Sequence, residues 1–297
     1  NTITSIKLQV KNGGTVVKEK EVTEKDNWTY TFTDLPVYDK TGNKITYTID
    51  ETVANNDDQS KLGLYDKSIE NGVITNTFNP EKVTEKTKVT ATKAWANMNS
   101  DAARANTITS IKLQVKNGGT VVKEKEVTEK DNWTYTFTDL PVYDKTGNKI
   151  TYTIDETVAN NDDQSKLGLY DKSIENGVIT NTFNTEKVTE KTKVTATKAW
   201  ANMESDAAKA NKLTSIKLQV KNGDTVVKEK EVTEKDNWTY TFTDLPVYDK
   251  TGNKITYTID ETVANNDDQA KLDLYDKSIE NGVITNTFKP ERVTEKT

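Results

Sequence analysis

The sequence predicts an all-β protein made of tandem Greek-key β-sandwiches, arranged as beads on a string. Three observations support this fold class. The 297 residues consist of one sequence repeated at a fixed interval, short stretches of alternating polarity dominate each repeat, and only 33% of the residues are hydrophobic. A chain with so few apolar residues fits several thin domains better than one thick core.

The repeat has the size of a small independent domain. The segment that begins at Asn1 recurs at Asn106 and Asn211, so each copy starts 105 residues after the one before it. A solenoid unit is much shorter, because it must bury its face against its neighbours. The chain is therefore interpreted as an array of separate domains.

Polar segments rich in Lys and Glu mark the domain boundaries. Residues 1–80 and 106–185 are identical except at their last position, and the first copy starts inside the pattern, so we expect the chain to be a fragment. We predict an incomplete copy that lacks its first strand at 1–80, a linker at 81–87, a complete copy at 88–185, a linker at 186–192, a complete copy at 193–290 and a linker at 291–297.

Strand-like runs follow one another through the middle copy. They are rich in Thr, Val, Ile and Tyr and alternate in polarity, which favours strands. The runs lie at 88–95, 108–116, 121–128, 133–138, 149–158, 167–174 and 178–183. Asn-Gly and Gly-Asn pairs mark turns between them. Residues 98–106 are the only candidate for a helical turn, and we interpret them as a loop. The whole pattern is typical of a Greek-key sandwich.

Three of these strands each place one polar residue on an otherwise apolar face. Side chains of a strand point alternately to its two faces. By this alternation Lys93 in the first strand, Glu156 in the fifth and Asn181 in the last point towards the core. An unpaired buried charge is very costly. We therefore expect these three side chains to meet.

A buried amine, amide and carboxylic acid can form an intramolecular isopeptide bond. Burial disfavours the charged forms of Lys and Glu. Lys93 would then be the nucleophile, the Asn181 side-chain carbonyl the electrophile, and Glu156 the acid that polarises this carbonyl and moves protons. The alternative is a buried hydrogen-bonded network without a covalent bond.

The other copies differ in whether the set is complete. The third copy has all three residues, as Lys198, Glu261 and Asn286. The first copy has Glu51 and Asn76 but no corresponding lysine, so we predict no bond there. Each bond would close a loop between residues 88 positions apart, from the first strand to the last.

Two further features receive structural interpretations. The alternation places Trp133, Tyr135 and Phe137 on one face, which favours a core stripe over a carbohydrate platform. The acidic run at 160–163 lacks the ligand spacing of an EF-hand loop, so we interpret it as solvated. We expect no metal and no cofactor.

Composition excludes several classes of function. The chain has no His and no Cys, which removes His-based catalytic triads and His- or Cys-ligated zinc. Its net charge is −6, with no basic stripe for nucleic acid and no apolar run that could enter a membrane. We expect a monomer that is not an enzyme and whose only reaction is single-turnover self-crosslinking.

The residues of the proposed site also carry a family resemblance. The stretches VTATKAW (89–95), NWTYTFTDLPVYDKTGNKITYTIDE (132–156) and ITNTF (179–183) resemble the Cna B-type repeat of Gram-positive surface proteins and pilins. The resemblance implies an inverse immunoglobulin-like (prealbumin-like) sandwich, a Lys–Asn isopeptide bond and an exported, wall-anchored protein. The loop at 96–106 departs from the family pattern.

The expected function is a structural stalk of a cell-wall-anchored bacterial surface adhesin. The resemblance implies that its partners are the head and wall anchor of the same adhesin, with host extracellular matrix contacted through regions outside this sequence. The alternative is a weak multivalent module that binds host matrix or itself, since tandem weak sites gain avidity.

Overall fold

The computed structural model describes residues 2–294. Its elements are short strands joined by tight turns, with single helical turns between some of them. Cα proximity divides the chain into two compact units, Asn1–Ala91 with Gln114–Glu124 and Tyr135–Ile154, and Thr92–Leu113 with Lys125–Thr134 and Asp155–Thr297. The third copy lies entirely within the second unit.

The first copy contains five strands and one helical turn. They are β1 Ser5–Asn12, β2 Thr15–Thr23, β3 Tyr47–Val53, α1 Gln59–Leu62, β4 Tyr65–Glu70 and β5 Val73–Phe78. Short 3₁₀ turns lie at Glu24–Asp26, Asn56–Asp58 and Pro80–Lys82.

The two complete copies repeat one larger set of elements. The middle copy has β6 Lys86–Ala96, α2 Asp101–Ala105, β7 Ser110–Asn117, β8 Thr120–Thr128, β9 Thr134–Pro141, β10 Tyr152–Val158, α3 Gln164–Leu167, β11 Tyr170–Glu175 and β12 Val178–Phe183. The third has β13 Lys191–Ala201, α4 Asp206–Ala210, β14 Ser215–Asn222, β15 Thr225–Thr233, β16 Thr239–Pro246, β17 Tyr257–Thr262, α5 Gln269–Leu272, β18 Tyr275–Glu280 and β19 Val283–Phe288. Their 3₁₀ turns are Glu129–Asp131, Asn161–Asp163, Thr185–Lys187, Glu234–Asp236, Asn266–Asp268 and Pro290–Arg292.

Each complete copy is a sandwich of a four-stranded and a three-stranded sheet. In the third copy the strand orders are β16-β13-β19-β18 and β15-β14-β17. The opening strand β13 pairs antiparallel with β16 and parallel with the closing strand β19. The middle copy has the equivalent sheets, β11-β12-β6-β9 and β10-β7-β8. The predicted all-β tandem sandwich fold is confirmed.

The core lies between the two sheets and follows the predicted alternation. Apolar side chains that point inward from both sheets of the third copy form one buried cluster, which includes Ile216, Leu218, Phe242, Ile284 and Phe288. These residues alternate along their strands with partly exposed polar side chains, since successive positions of a strand face opposite sides.

The prediction of a loop throughout 98–106 is wrong, because Asp101–Ala105 forms the helical turn α2. The Ser100 side chain accepts a hydrogen bond from the backbone N–H of Ala103 and caps the turn. Asp101 lies in the first turn, where a negative charge is favoured. A Ser cap, an acidic residue and two alanines are local helix signals, and they outweigh the absence of a longer helical periodicity.

The core stripe predicted in strand 133–138 is also only partly right. Phe137 is buried, but Tyr135 is 39% exposed. Trp133 has a φ of 56° and precedes β9, so the alternation does not extend to it. The predicted strand at 167–174 begins only at Tyr170, because residues 164–167 form α3.

Candidate functional site

The opening and closing strands of a copy bring the proposed nucleophile and electrophile onto adjacent strands. In the parallel pair β6 and β12, Lys93 lies opposite Ile179, and Asn181 lies opposite Trp95. Lys93 and Asn181 are therefore two positions apart along the ladder. The same register places Lys198 opposite Ile284 in the third copy.

The glutamate comes from the facing sheet. Glu261 lies on β17, which pairs with the central strand β14. The carboxylate thus reaches across the core towards the four-stranded sheet, where it meets the lysine. Lys198 Nζ and Glu261 Oε2 are 3.5 Å apart, and Lys93 Nζ and Glu156 Oε2 are 3.4 Å apart.

The asparagine completes the set in the middle copy. Asn181 Nδ2 donates a hydrogen bond of 2.7 Å to Glu156 Oε1. Lys93 Nζ donates to the backbone carbonyls of Ala94 at 3.0 Å and Ile179 at 3.2 Å. One carboxylate therefore contacts both the amine and the amide.

All three side chains are removed from solvent. The side chains of Lys93 and Glu156 are 0% and 1% exposed, and those of Lys198 and Glu261 have the same values. Asn181 as a residue is 1% exposed. Glu156 Oε2 and Asn181 Oδ1 are buried without a hydrogen bond. The site is therefore a dry polar pocket with unused hydrogen-bonding capacity.

Burial favours the neutral forms that an amide-forming reaction requires. Loss of hydration lowers the pKa of Lys93 and of Lys198 to about 8, although the nearby glutamates oppose this shift. Burial likewise raises the pKa of Glu261, against the opposing effects of Lys198 and Asn286. The amine is thus easier to deprotonate and the acid easier to protonate than in water.

A tryptophan lies beside each lysine. Lys93 Nζ is 4.3 Å from the ring centroid of Trp95, and Lys198 Nζ is 4.2 Å from that of Trp200. The alternation predicts this proximity, because residues two apart on a strand share a face. The ring limits the directions in which the lysine can point, so it helps to aim Nζ at the carboxylate.

An ionic network beside the glutamate joins the two sheets of the third copy, and it was not predicted from the sequence. Asp260 Oδ1 accepts from Lys277 Nζ at 2.6 Å, and Asp260 Oδ2 from Lys221 Nζ at 2.8 Å. Burial alone would raise the pKa of Asp260, but these lysines outweigh it and lower the pKa to about 2. The sequence signal is an Asp directly before Glu261, which alternation places on the opposite face. The network ties β17 to β14 in its own sheet and to β18 in the facing sheet.

The first copy has only part of the site. Glu51 Oε1 and Asn76 Oδ1 are buried without a hydrogen bond. Both line a cavity of about 540 Å³, together with Trp28 and Tyr30, which are 44% and 47% exposed. In the middle copy the corresponding side chains pack against β6, so the cavity occupies the place of an opening strand.

The acidic run of the middle copy forms a capped turn. Asn160 Oδ1 accepts from the backbone N–H of Asp162, and Asp163 pairs with Lys166 at 2.9 Å. These contacts account for the cluster of polar residues at this position through hydrogen bonding within the chain.

The fold and the buried Lys–Glu–Asn set define the class of this protein as a tandem β-sandwich repeat. The model of the Cna protein B-type domain matches residues 1–77, 89–182 and 194–287. The chain belongs to the Cna B-type domain family.

Similar proteins and solved structures include several from Staphylococcus aureus. The chain is 34% identical over 280 residues to a collagen adhesin of Staphylococcus aureus, with 93% of this chain and 21% of that protein covered. A crystal structure of two B repeat units of the S. aureus collagen binding protein is 28% identical, with 97% and 69% of the two chains covered and a TM-score of 0.36. A single B repeat unit is 27% identical, with 69% and 100% covered and a TM-score of 0.28.

The chain thus spans about a fifth of the length of the matched collagen adhesin. No helix among residues 2–294 is long and apolar enough to cross a membrane.

Proposed function

We propose that this chain is a stalk segment of a cell-wall-anchored surface adhesin, and that Lys93–Asn181 and Lys198–Asn286 isopeptide bonds close its two complete copies. The observation that carries this proposal is a buried glutamate that contacts the buried lysine in both complete copies and the buried asparagine in the middle copy. Burying such a set costs several kcal/mol of hydration unless the groups pair well, and similar apolar residues would often be as stable. A covalent bond between the lysine and the asparagine would explain why these polar groups are buried despite the loss of hydration.

The proposed reaction joins Lys Nζ to the side-chain carbon of Asn and releases ammonia. In the third copy, neutral Nζ of Lys198 attacks Cγ of Asn286 while protonated Glu261, whose pKa burial raises, donates a proton to Oδ1. The resulting carboxylate takes a proton from the attacking nitrogen and passes it to Nδ2, which leaves as ammonia, and the Oδ1 proton returns to the carboxylate as the C=O bond re-forms. One Nζ–Cγ bond forms, one Cγ–Nδ2 bond breaks, and the glutamic acid is regenerated.

Two features of the site assist this reaction. With a pKa of about 8 for Lys93, roughly a tenth of the amines are neutral at pH 7. Half a rotation of the Asn181 carboxamide places Oδ1 instead of Nδ2 next to the Glu156 carboxyl group. The fold supplies the proximity, which for well-oriented groups corresponds to effective molarities on the order of 10⁵–10⁸ M.

Intact mass spectrometry of the purified chain tests the bonds. We expect a mass below the sequence mass by two molecules of ammonia. Lys93→Ala and Lys198→Ala should each abolish the loss of one molecule, and together both. Lys172→Ala removes an exposed lysine that pairs with Asp155 and serves as the matched control. The full sequence mass in the native chain would contradict the proposed bonds.

The stalk role rests on the family and on the repetition of near-identical copies. A spacer needs length rather than diversity, and covalent closure of each domain resists both force and proteases. The head and wall anchor would belong to the same adhesin, outside this sequence, and the protein would be extracellular. Saturable binding of the chain to collagen, or to itself, at micromolar or lower concentration would instead favour a binding module.

A further inference from the structure

The turn between β16 and β17 of the third copy contacts the middle copy next to α2. All residues of this contact belong to one compact unit. Three hydrogen bonds join the copies: Ala102 N–H to the Gly252 carbonyl at 2.9 Å, Lys254 N–H to Asp101 Oδ2 at 3.0 Å, and Thr185 Oγ1 to the Lys250 carbonyl at 3.0 Å. The three bonds involve different residues along the turn, so they fix the orientation of the turn as well as its position.

An aromatic side chain from the same turn packs into the middle copy. Tyr248 contacts a buried cluster formed by Ala102, Ala103, Ile108, Tyr170 and Phe183. Burial raises the pKa of Tyr248, with further contributions from Glu190 and Asp101. In the first copy the equivalent Tyr38 is 62% exposed. The contact therefore covers an aromatic surface that is otherwise open to solvent.

Close packing at one glycine shows how tightly the two surfaces fit. Gly252 has a φ of +83° and is buried. A Cβ at this position would lie 2.7 Å from Ser100 Oγ and 2.8 Å from Thr185 Cγ2. The equivalent Gly42 of the first copy has a φ of +85° and no atom within 4 Å of such a Cβ. The two glycines share a backbone conformation and differ in what faces them.

The one residue that distinguishes the first two copies lies at this contact. Residues 1–80 and 106–185 differ only in having Pro80 or Thr185 at the last position. The Thr185 hydroxyl makes one of the three hydrogen bonds, and a proline has no hydroxyl to donate. The variation between otherwise identical copies thus coincides with the surface that meets the next copy.

We propose that the surface formed by Ser100–Ala102 and Thr185 is a docking site for the Tyr248–Lys254 turn of the following copy. A flexible polar linker alone would leave the two complete copies free to reorient. Docking instead holds them in one relative orientation. The partner is a complete copy of this same repeat, and the corresponding surface at α4 of the third copy would receive the turn of a further copy. The docking does not depend on the proposed isopeptide bonds.

Burial at α4 agrees with this assignment. Ala102 is fully buried, whereas its counterpart Ala207 is only partly buried, and Pro290 is exposed where Thr185 is partly covered. The third copy thus presents the equivalent surface at α4, with Pro290 in place of Thr185, and no other copy covers it among the described residues. Three hydrogen bonds and a packed tyrosine act between domains that the linker already keeps close together, so they can hold the two domains in one arrangement.

Electron spin resonance distance measurements test the docking. The chain has no Cys, so Ser173→Cys and Ser278→Cys introduce two unique labelling sites at exposed, equivalent positions of the middle and third copies. We expect one narrow distance distribution. Gly252→Ala should broaden it by forcing the surfaces apart, whereas Gly42→Ala, with the same backbone strain, should leave it unchanged.

A second pair of variants avoids any change to a turn backbone. Asp101→Ala removes the acceptor of Lys254 N–H and should broaden the distribution, whereas Asp206→Ala alters the equivalent exposed residue of α4 and should not. A broad distribution in the unmutated chain, or a narrow one that survives both Gly252→Ala and Asp101→Ala, would overturn the proposal. The mass of the same samples reports the isopeptide bonds separately.

Discussion

The first and middle copies share one sequence and differ in structure. Asn181 is 1% exposed, whereas Asn76 is only partly buried, and Phe183 is 1% exposed where Phe78 is 37% exposed. Residues 29–36 are not in a strand, although their counterparts form β9. The cause is the opening strand β6, which lies between β9 and β12 in the middle copy and has no counterpart in the first copy of this sequence.

The comparison shows that one strand completes both the core and the site. An apolar face becomes a core only when another surface covers it. The 79 residues that the two copies share include the glutamate and the asparagine of the site. The lysine, and the apolar side chains that cover the core, belong to the opening strand. Substitutions at equivalent positions of different copies therefore separate the effect of a residue from the effect of its surroundings.

The largest expected difference concerns Asn286 and Asn76. Asn286→Ala removes the proposed electrophile from a complete site, so the third copy should lose about 4–5 kcal/mol of stability, by analogy with a disulfide that closes a loop of this length. A loss of this size lowers the unfolding temperature of a small domain by on the order of 20 °C. Differential scanning calorimetry of the whole chain measures it.

Asn76→Ala is the matched control for this prediction. The same substitution in the first copy cannot break a bond, since no lysine reaches Asn76, and should change the unfolding temperature little. Equal shifts for the two variants would show that the asparagine acts through local packing alone.

Limited proteolysis measures the second difference. The first copy has exposed aromatic residues and only two- and three-stranded sheets, so its local opening should cost less free energy than that of the third copy. We expect cleavage within residues 1–80 to be about a hundredfold faster than within 192–290, which corresponds to about 2.7 kcal/mol. Mass spectrometry of the surviving fragment identifies the cut. Equal resistance of the two regions would refute this prediction.

The smallest expected difference is a dependence on alkaline pH. In the double variant Asn181→Ala and Asn286→Ala no bond can form, and both lysines stay titratable. Burial lowers their pKa to about 8 in the folded chain, so the unfolded chain binds more protons between that value and the usual lysine pKa. The free energy of unfolding should therefore rise as the pH increases from about 8 and reach its full value above the usual lysine pKa. This added stability should be lost again as the pH falls through about 8.

Urea unfolding at pH 7 and pH 9.5 tests this dependence. One pKa unit corresponds to about 1.4 kcal/mol, so we expect a gain of about 1–2 kcal/mol per complete copy. Adding Lys93→Met and Lys198→Met removes the titrating amines and should abolish the gain. A gain that persists in these variants would come from other groups.

The sequence predicted those parts of the fold that depend on local alternation. The inward positions of Lys93, Glu156 and Asn181 follow from strand parity, and their burial in the structure agrees with it. The exposure of Tyr135 could not be predicted, because it depends on where the sheet ends. The covalent bonds and the domain boundaries remain predictions.

Two other features lay beyond local patterns. The ionic network at Asp260 joins residues of three strands, so no single segment contains its signal. The contact of Tyr248 with the middle copy involves residues far apart in the chain. Both depend on tertiary packing, which alternation within a strand does not specify.

The parallel pairing of β13 with β19 has a mechanical consequence. Because the first and last strands of the copy run side by side in the same direction, the chain enters at one end of the pair and leaves at the other. Without a covalent link between the two strands, tension along the backbone would slide them past each other and strain all the hydrogen bonds between them at once. A force along the chain therefore has to break these hydrogen bonds together rather than one after another. Breaking them together requires a larger force.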